Sequence, residues 1–279
     1  ENCLVIHLTL IPFLAAAQEL KTKPTQHSVK ELLRSGIQPD ILVCRTEHPL
    51  TDDLRRKLAL FCNVDYDSVV ESRDAETIYD VPLLMLKEKL DKTALSKLHL
   101  PDKKEPNLRA WKTFLGKLKN PLNEVKVALV GKYNELPDAY KSIHEAFIHA
   151  GAVNECLVEV IPVHSEELEN SVEDAIEVLK KVDGVLVAPG FGERGVEGKI
   201  RAIHYCRENK IPFFGICLGM QCAVIEFSRN VLHLNEADSS EFSPTTPHPV
   251  IDLMPDQKGI TQKGGTMRLG AYDCAIKEK

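Results

Sequence analysis

The chain has no apolar run long enough to cross a bilayer, which takes about 20 consecutive apolar residues. Its eight cysteines form no C-x-x-C pair, so zinc-ribbon spacing is absent. No G-x-x-x-x-G-K-[ST] phosphate loop occurs, and there is a single tryptophan. Excess positive charge is also lacking. The 41 acidic and 35 basic residues are interspersed and leave a net charge of −6, which argues against nucleic acid as a partner. Low-complexity segments, internal repeats and a signal-peptide pattern are likewise missing. What remains is a 279-residue chain, 43% apolar and 27% charged, with room for two domains of ordinary size. Most of its cysteines sit in apolar runs as small hydrophobes, as in a protein of the reducing cytoplasm.

Apolar, β-branched runs alternate with amphipathic ones. CLVIHLTL, DILVCR and SVVESR read as strands, with HSVKELLRS as a helix stopped by Gly36. DLRRKLALFC reads as a second helix, with Leu54, Leu58 and Phe61 on one stripe, and AETIYDVPLLMLKEKL as helical or broken at Pro82. A charged stretch with three prolines, PDKKEPNLRAWKTFLGKLKNP, follows; it reads as a linker helix anchored by Trp111. A second series begins with the strand VKVALVGKY and a helix closed by Gly151. The strands CLVEVIPV, DGVLVAPG and IPFFGI then alternate with helices. Near-continuous Val/Ile/Leu strands are expected where helices cover both faces of a parallel sheet. The reading is therefore α/β, with two domains, each a mostly parallel sheet flanked by helices. Residues 1–104 form the first, 105–123 the linker and 124–279 the second.

Three stretches carry chemistry. In PFFGICLGMQ, Cys217 lies between Gly215 and Gly219, after a strand and before a helix. G-x-C-x-G is the cysteine form of a nucleophile elbow. The glycines keep Cβ atoms out of a tight turn, the helix N-terminus favours the thiolate, and the N–H of Leu218 faces a developing oxyanion. A buried cysteine in a glycine-containing turn is the competing reading. VAPGFGERGVEGK ends the preceding strand and so shares the sheet edge with Cys217. Gly190 there offers a second oxyanion N–H, and Gly192, Gly195 and Gly198 suggest a pliable lid; a phosphate-binding loop competes. In KTKPTQHSVKE, Lys21 and Lys23 would point the same way if extended, beside a helix capped by Thr25 or Ser28, which makes a polyphosphate site. A solvated basic turn competes. A thiol also needs a base. His233 reads as a helix cap, His248 lies between prolines, and Ser165 of His164-Ser165-Glu166 reads as a cap, so no base is assigned.

Together, FFGICLGMQCAVIEFSRNV, PGFGERGVEGK, SSEFSPTT and GGTMRLG resemble the class I glutamine amidotransferase domain of the CTP synthase family, and KTKPTQHSVKELLRSGIQPDILVCR resembles that family's synthase domain. The resemblance covers essentially the whole chain. It implies a flavodoxin-like second domain and a ligase that makes CTP from UTP, ATP and glutamine. Cys217 would attack glutamine, Gly190 and Leu218 would form the oxyanion hole, and Gly219, Met220, Gln221 and Glu241 would help hold glutamine. Lys21, Thr22, Lys23, Pro24, Thr25, Gln26 and Lys57 would match the UTP/CTP positions, and Arg73, Asp74 and Ala75 a stretch near ATP. Magnesium with ATP, GTP as activator, CTP as feedback inhibitor and a homotetramer in the cytoplasm are further implications. The usual Pro-Gly-Gly-Phe-Gly loop is Ala188-Pro189-Gly190-Phe191-Gly192 here, so Pro189 brings no N–H. The family's phosphate loop and magnesium carboxylates are expected before Glu1 and its catalytic His-x-Glu after Lys279. On that reading the chain is an internal fragment, inactive or nearly so by itself. A cysteine hydrolase on the same fold, or a non-catalytic nucleotide-binding or assembly module, are the alternatives.

Overall fold

The computed structural model describes residues 3–136, 138–170 and 172–252, with the side chains of 170–175 left aside. Cys274 and the GGTMRLG stretch at 264–270 lie outside the described residues. The chain divides into two compact units, Glu1–Leu115 and Gly116–Lys279.

In the first unit, β1 (Ile6–Leu10) leads through a small antiparallel hairpin, β2 (Phe13–Leu14) and β3 (Glu19–Leu20), into α1 (Lys23–Arg34). Then come β4 (Ile41–Thr46), α2 (Asp52–Cys62), β5 (Val69–Arg73), α3 (Val81–Lys87) and α4 (Leu90–Lys97). The sheet is parallel, in the order β1-β4-β5. Strand β4 shows why its sequence is apolar throughout. Leu42 and Cys44 pack into a core with Val29, Leu58 and Cys62, while Ile41 and Val43 face the opposite way with Val70.

Local chemistry moves several boundaries. Helix α1 starts four residues before the sequence pattern suggests, because Pro24 sits in its first turn, where a missing N–H costs nothing. Gly36 follows the helix at φ 78°, as expected. The buried stripe of α2 is Leu58 and Cys62, four apart, whereas Phe61 is exposed. Pro82 opens α3 rather than breaking it, and the break comes at Lys89 in the left-handed region. Helix α5 (Arg109–Lys119) begins with Trp111 fixed on the first unit. Its indole N–H donates to the Tyr79 carbonyl at 2.8 Å, and its ring packs against Tyr79 and Phe114. The division between the two units falls inside this helix.

The second unit runs β6 (Asn123–Gly131), α6 (Lys141–Asn154), β7 (Cys156–His164), α7 (Glu167–Asn170), α8 (Val172–Leu179), β8 (Gly184–Val187), α9 (Val196–Asn209), β9 (Phe213–Gly215) and α10 (Leu218–Asn230). Short strands β10 (Asp238–Ser239) and β11 (Pro249–Ile251) pair beyond it. All four main strands are parallel in the order β7-β6-β8-β9. Ala128, Val130, Val185 and Val187 bury against α9 and α10, while Leu129, Leu186 and Ala188 bury against Tyr140, Ile143 and Phe147 on the α6 side. This is the doubly wound, flavodoxin-like arrangement. Its switch point lies between β6 and β8, whose carboxyl ends are where such sheets place ligands. Gly151 does not close α6. It lies within the helix, where a Cβ would meet the Cys156 carbonyl oxygen at 2.5 Å, so it permits close packing on β7.

Candidate active site at the carboxyl edge of the second sheet

Strand β9 ends at Gly215 and α10 starts at Leu218, so two residues make the turn. Cys217 takes the strain, at φ 53° and ψ −109°. A non-glycine residue there costs about 1–3 kcal/mol and persists only where its surroundings impose it. The imposition comes from the two flanking glycines. A Cβ on Gly215 would lie 2.6 Å from the Gly219 carbonyl, and one on Gly219 would lie 2.2 Å from the Val187 carbonyl oxygen. The helix is thus pressed onto β8 and the thiol is lifted to the exposed edge. The N–H of Leu218, first in α10, has no acceptor within the helix and is free for a ligand. Cys222, the other cysteine of α10, is fully buried, and burial pushes its thiol up to about 11.

The loop from Ala188 onward meets this elbow. The Cβ position at Gly190 is 3.7 Å from Leu218 Cδ2, 3.6 Å from Lys199 Nζ and 3.9 Å from Lys132 Cε. The two lysines escaped the sequence reading. Lys132 follows β6, is 6% exposed, and donates from Nζ to the carbonyls of Phe191 at 2.9 Å and Gly192 at 2.7 Å. Lys199, in the first turn of α9, has no exposed surface and donates to the Ala188 carbonyl at 2.8 Å. Burial is the main cause lowering the pKa of both, and for Lys199, with repulsion from the Lys132 ammonium added, the result is about 8.

Gly190 to Gly195 also has the spacing G-x-G-x-x-G between a strand and a helix, so the phosphate-loop alternative had more support than the missing lysine-serine signature suggests. Here three of the loop's carbonyls are drawn onto ammonium groups. The lid expectation is also corrected. Gly195 caps α9 at φ 74°, and Gly198 lies inside the helix, where a Cβ would collide with the Ser165 carbonyl oxygen at 1.7 Å. Ser165 does not cap α7, since its buried hydroxyl has no hydrogen-bond partner.

Helices α9 and α10 are clasped at the ends far from the loop. Glu226 is 1% exposed, and its carboxylate lies 2.9 Å from His204 Nδ1 and 3.0 Å from an Arg207 guanidinium nitrogen. Burial alone would raise this carboxyl, but the bonds from Arg207 and His204 outweigh it and hold it below the usual range. At the loop end of α9, Glu197 forms a separate ion pair with Arg229 of α10 at 2.8 Å.

Of the residues matched to glutamine, Gly219 is buried as the packing point on β8, and Met220 is 50% exposed beside the thiol turn. The N–H of Gln221 donates to the Cys217 carbonyl at 3.1 Å. Glu241 follows β10, its N–H donating to the Ser239 hydroxyl. Among the described residues no histidine is hydrogen-bonded to Cys217; His233 follows α10 in the left-handed region, and the His248 carbonyl accepts from the Asp238 N–H.

In the first unit, Lys21–Gln26 follow β1 and its hairpin, Lys57 lies on α2, and Arg73–Ala75 run from the last residue of β5 onward. The N–H of Lys21 donates to the Pro12 carbonyl, and its side chain pairs with Glu19. Lys23 begins α1, so the two lysines do not alternate along an extended stretch. Neither Thr25 nor Ser28 caps that helix. Thr25 is fully buried and donates to the Leu10 carbonyl, and the Ser28 hydroxyl lies 2.8 Å from His7 Nε2. Thr22 is nearly buried and accepts from the Gln26 amide; Lys57 is exposed on α2. After β5, Asp74 accepts from Arg45 at 2.9 Å, between Arg73 and Ala75. Among the described residues no cluster of three or more His, Cys, Asp or Glu side chains suits a metal ion. No helix there is long and apolar enough to cross a membrane.

Residues 135–279 match the family model described as glutamine amidotransferase class-I. The chain belongs to the class-I glutamine amidotransferase family. Residues 1–100 match the model described as CTP synthase N-terminus, so each unit of this amidotransferase chain has a match of its own. A CTP synthase of Cytophaga hutchinsonii is 68% identical over 275 residues, which cover 99% of this chain and 51% of that protein. One of Methanocaldococcus jannaschii is 59% identical over 284 residues, covering 100% of this chain and 52% of the relative. The amidotransferase chain therefore spans about half the length of the curated relatives it matches. A solved structure described as the Trypanosoma brucei CTPS glutaminase domain with bound acivicin is 41% identical, with a TM-score of 0.46 over 48% of this chain and 52% of that one.

Proposed function

We propose that this chain supplies the thiol site and part of the nucleotide site of a glutamine-hydrolysing CTP synthase. The observation that carries the reading is the strained Cys217 opening α10, with Gly190 packed against Leu218. The Cys217 thiolate attacks the side-chain carbonyl carbon of glutamine, and the negative charge that forms on oxygen is received by the N–H groups of Leu218 and Gly190. Collapse of that intermediate breaks the C–N bond. The nitrogen leaves as ammonia, taking the proton given up by the thiol, and water hydrolyses the remaining thioester to glutamate. Gly219, Met220, Gln221 and Glu241 are assigned to holding glutamine.

Ammonia then replaces the 4-oxygen of UTP, which ATP has phosphorylated, so that CTP, ADP and phosphate are the products. Lys21–Gln26 and Lys57 are assigned to the pyrimidine triphosphate, and Arg73–Ala75 to the neighbourhood of ATP. The described residues offer magnesium no cluster, and no step here is routed through it. Activation by GTP, feedback by CTP, a tetramer and a cytoplasmic location belong to the same reading by family.

The test is Cys217→Ala in the full-length protein. Glutamine-dependent CTP formation should vanish, while formation from added ammonia continues. Loss of both would give Cys217 a folding role, and retention of both would end the reading.

A further inference from the structure

Lys199 is a charged group that the thiol chemistry above does not use. It has no exposed surface, and among the described residues no carboxylate lies within ion-pair distance of it. Burying an ammonium group without a counter-ion is strongly unfavourable, and proteins seldom keep one unless something offsets it. One carbonyl, that of Ala188, accepts from it. The charged and titratable groups that face it are Lys132, which repels it, and the thiols of Cys222 and Cys217, whose ionised forms would attract it. Cys222 stays protonated in its buried site, which leaves Cys217 as the one of the two thiols that the proposed chemistry ionises; the Glu169 carboxylate of α7 accepts from the N–H of Gly198.

We propose that Lys199 is a positioning residue for the thiol site: its ammonium group pulls the Ala188 carbonyl inward, seats Gly190 against Leu218, and supplies the positive charge that balances the Cys217 thiolate and the oxyanion. Geometry supports the seating of the loop. The Nζ atom bonds the residue two before Gly190 and lies 3.6 Å from where a Gly190 Cβ would be. Lys132 does the same for the next carbonyls, those of Phe191 and Gly192, so the loop is held from behind. The donors are then fixed before substrate arrives, which is the condition under which they accelerate a reaction instead of merely binding. The inference rests on the amidotransferase reading of Cys217.

The experiment compares Lys199→Met and Lys199→Arg with wild type in the full-length protein. Three quantities are read: kcat and KM for ammonia release from glutamine, the rate of Cys217 alkylation by iodoacetamide, and Tm. Lys199→Met should lower kcat by about tenfold or more, less than the ~10²–10³-fold that removal of an oxyanion donor itself costs, because Lys199 acts through the donors. KM should stay within about twofold, as expected when the lost interaction acts mainly in the transition state. Alkylation should slow, Tm should hold or rise because a buried charge is gone, and Lys199→Arg should restore most of kcat. An unchanged kcat and alkylation rate would overturn the proposal. So would a fall in Tm that parallels kcat, a Lys199→Met protein that does not fold, or failure of arginine to rescue. If wild type releases no ammonia from glutamine, the amidotransferase reading fails. Alkylation then decides the role of Lys199: slowing in Lys199→Met with recovery in Lys199→Arg upholds it, and equal rates overturn it.

Discussion

Gly219 of α10 rests on the carbonyl oxygen of Val187, the last residue of β8, so closely that a Cβ would come within 2.2 Å of it. This contact joins the helix that carries the thiol to the strand that carries the Gly190 loop. Gly219→Ala sets a methyl against backbone, which cannot move aside as a flexible side chain could. We expect a loss of about 1–3 kcal/mol, measured as a lower denaturant midpoint, with glutamine hydrolysis falling by more than stability alone explains.

The strain at Cys217 has its own signature. Glycine tolerates φ 53°, ψ −109° and alanine does not. Cys217→Gly and Cys217→Ala should both be inactive with glutamine, yet the glycine variant should be the more stable by roughly 1 kcal/mol after its greater unfolded-state entropy is counted. Equal midpoints in denaturant would mean that the turn is not strained in solution.

In the first unit, Lys21 is paired with Glu19, so that removing the lysine also bares a carboxylate. Under the proposed function, Lys21→Ala should weaken UTP binding by an order of magnitude or more, since charge-assisted contacts are worth roughly 1.5–3 kcal/mol. Glu19→Gln should leave Lys21 free and tighten UTP. Titration of UTP into each variant checks both signs; an unchanged affinity in Lys21→Ala would leave the lysine a surface charge.

Lys199 also links stability to pH. Its pKa is about 8 in the folded protein against an ordinary 10.5, so between these values the unfolded chain holds the proton that the folded one has lost. Stability then rises with pH, by about 1 kcal/mol between pH 7 and 9 from this residue. Cys44, Cys62, Cys206 and Cys222, pushed up to about 11 or 12, act in the opposite direction above pH 9 because only their unfolded forms ionise. The measurement is therefore the difference between wild type and Lys199→Met in urea at pH 7, 8 and 9. It should shrink as the pH rises.

Legibility followed from how local each signal is. The elbow could be read because Gly215, Cys217 and Gly219 enforce it within five residues, and the parallel sheets because strands such as β4 and β8 bury both faces. Lysines read as solvated in any sequence, so Lys132 and Lys199 carried no chemical alarm. A positional one existed for Lys199. It stands three after Val196 and four before Ile203, both buried, and therefore lies on the core face of α9. The start of α1 was missed because the Lys21–Lys23 stretch was read as extended with the cap at Thr25 or Ser28, and Gly151 was read as a helix stop and Gly198 as part of a lid although their partners, Cys156 and Ser165, lie outside the two helices. Contacts between elements are what a single sequence does not display.

The clasp at Glu226 makes α9 and α10 a lever. Glu226 lies nine positions after Cys217, about 13.5 Å of helix at 1.5 Å per residue. The same bundle of bonds from His204 and Arg207 fixes α9, whose other end carries Lys199. A disturbance at the clasp would swing the thiol and its buried counter-charge relative to each other, even though nothing within reach of the substrate had changed. Random mutagenesis scored by glutamine turnover should consequently yield a second cluster of inactivating positions on the outer ends of these two helices.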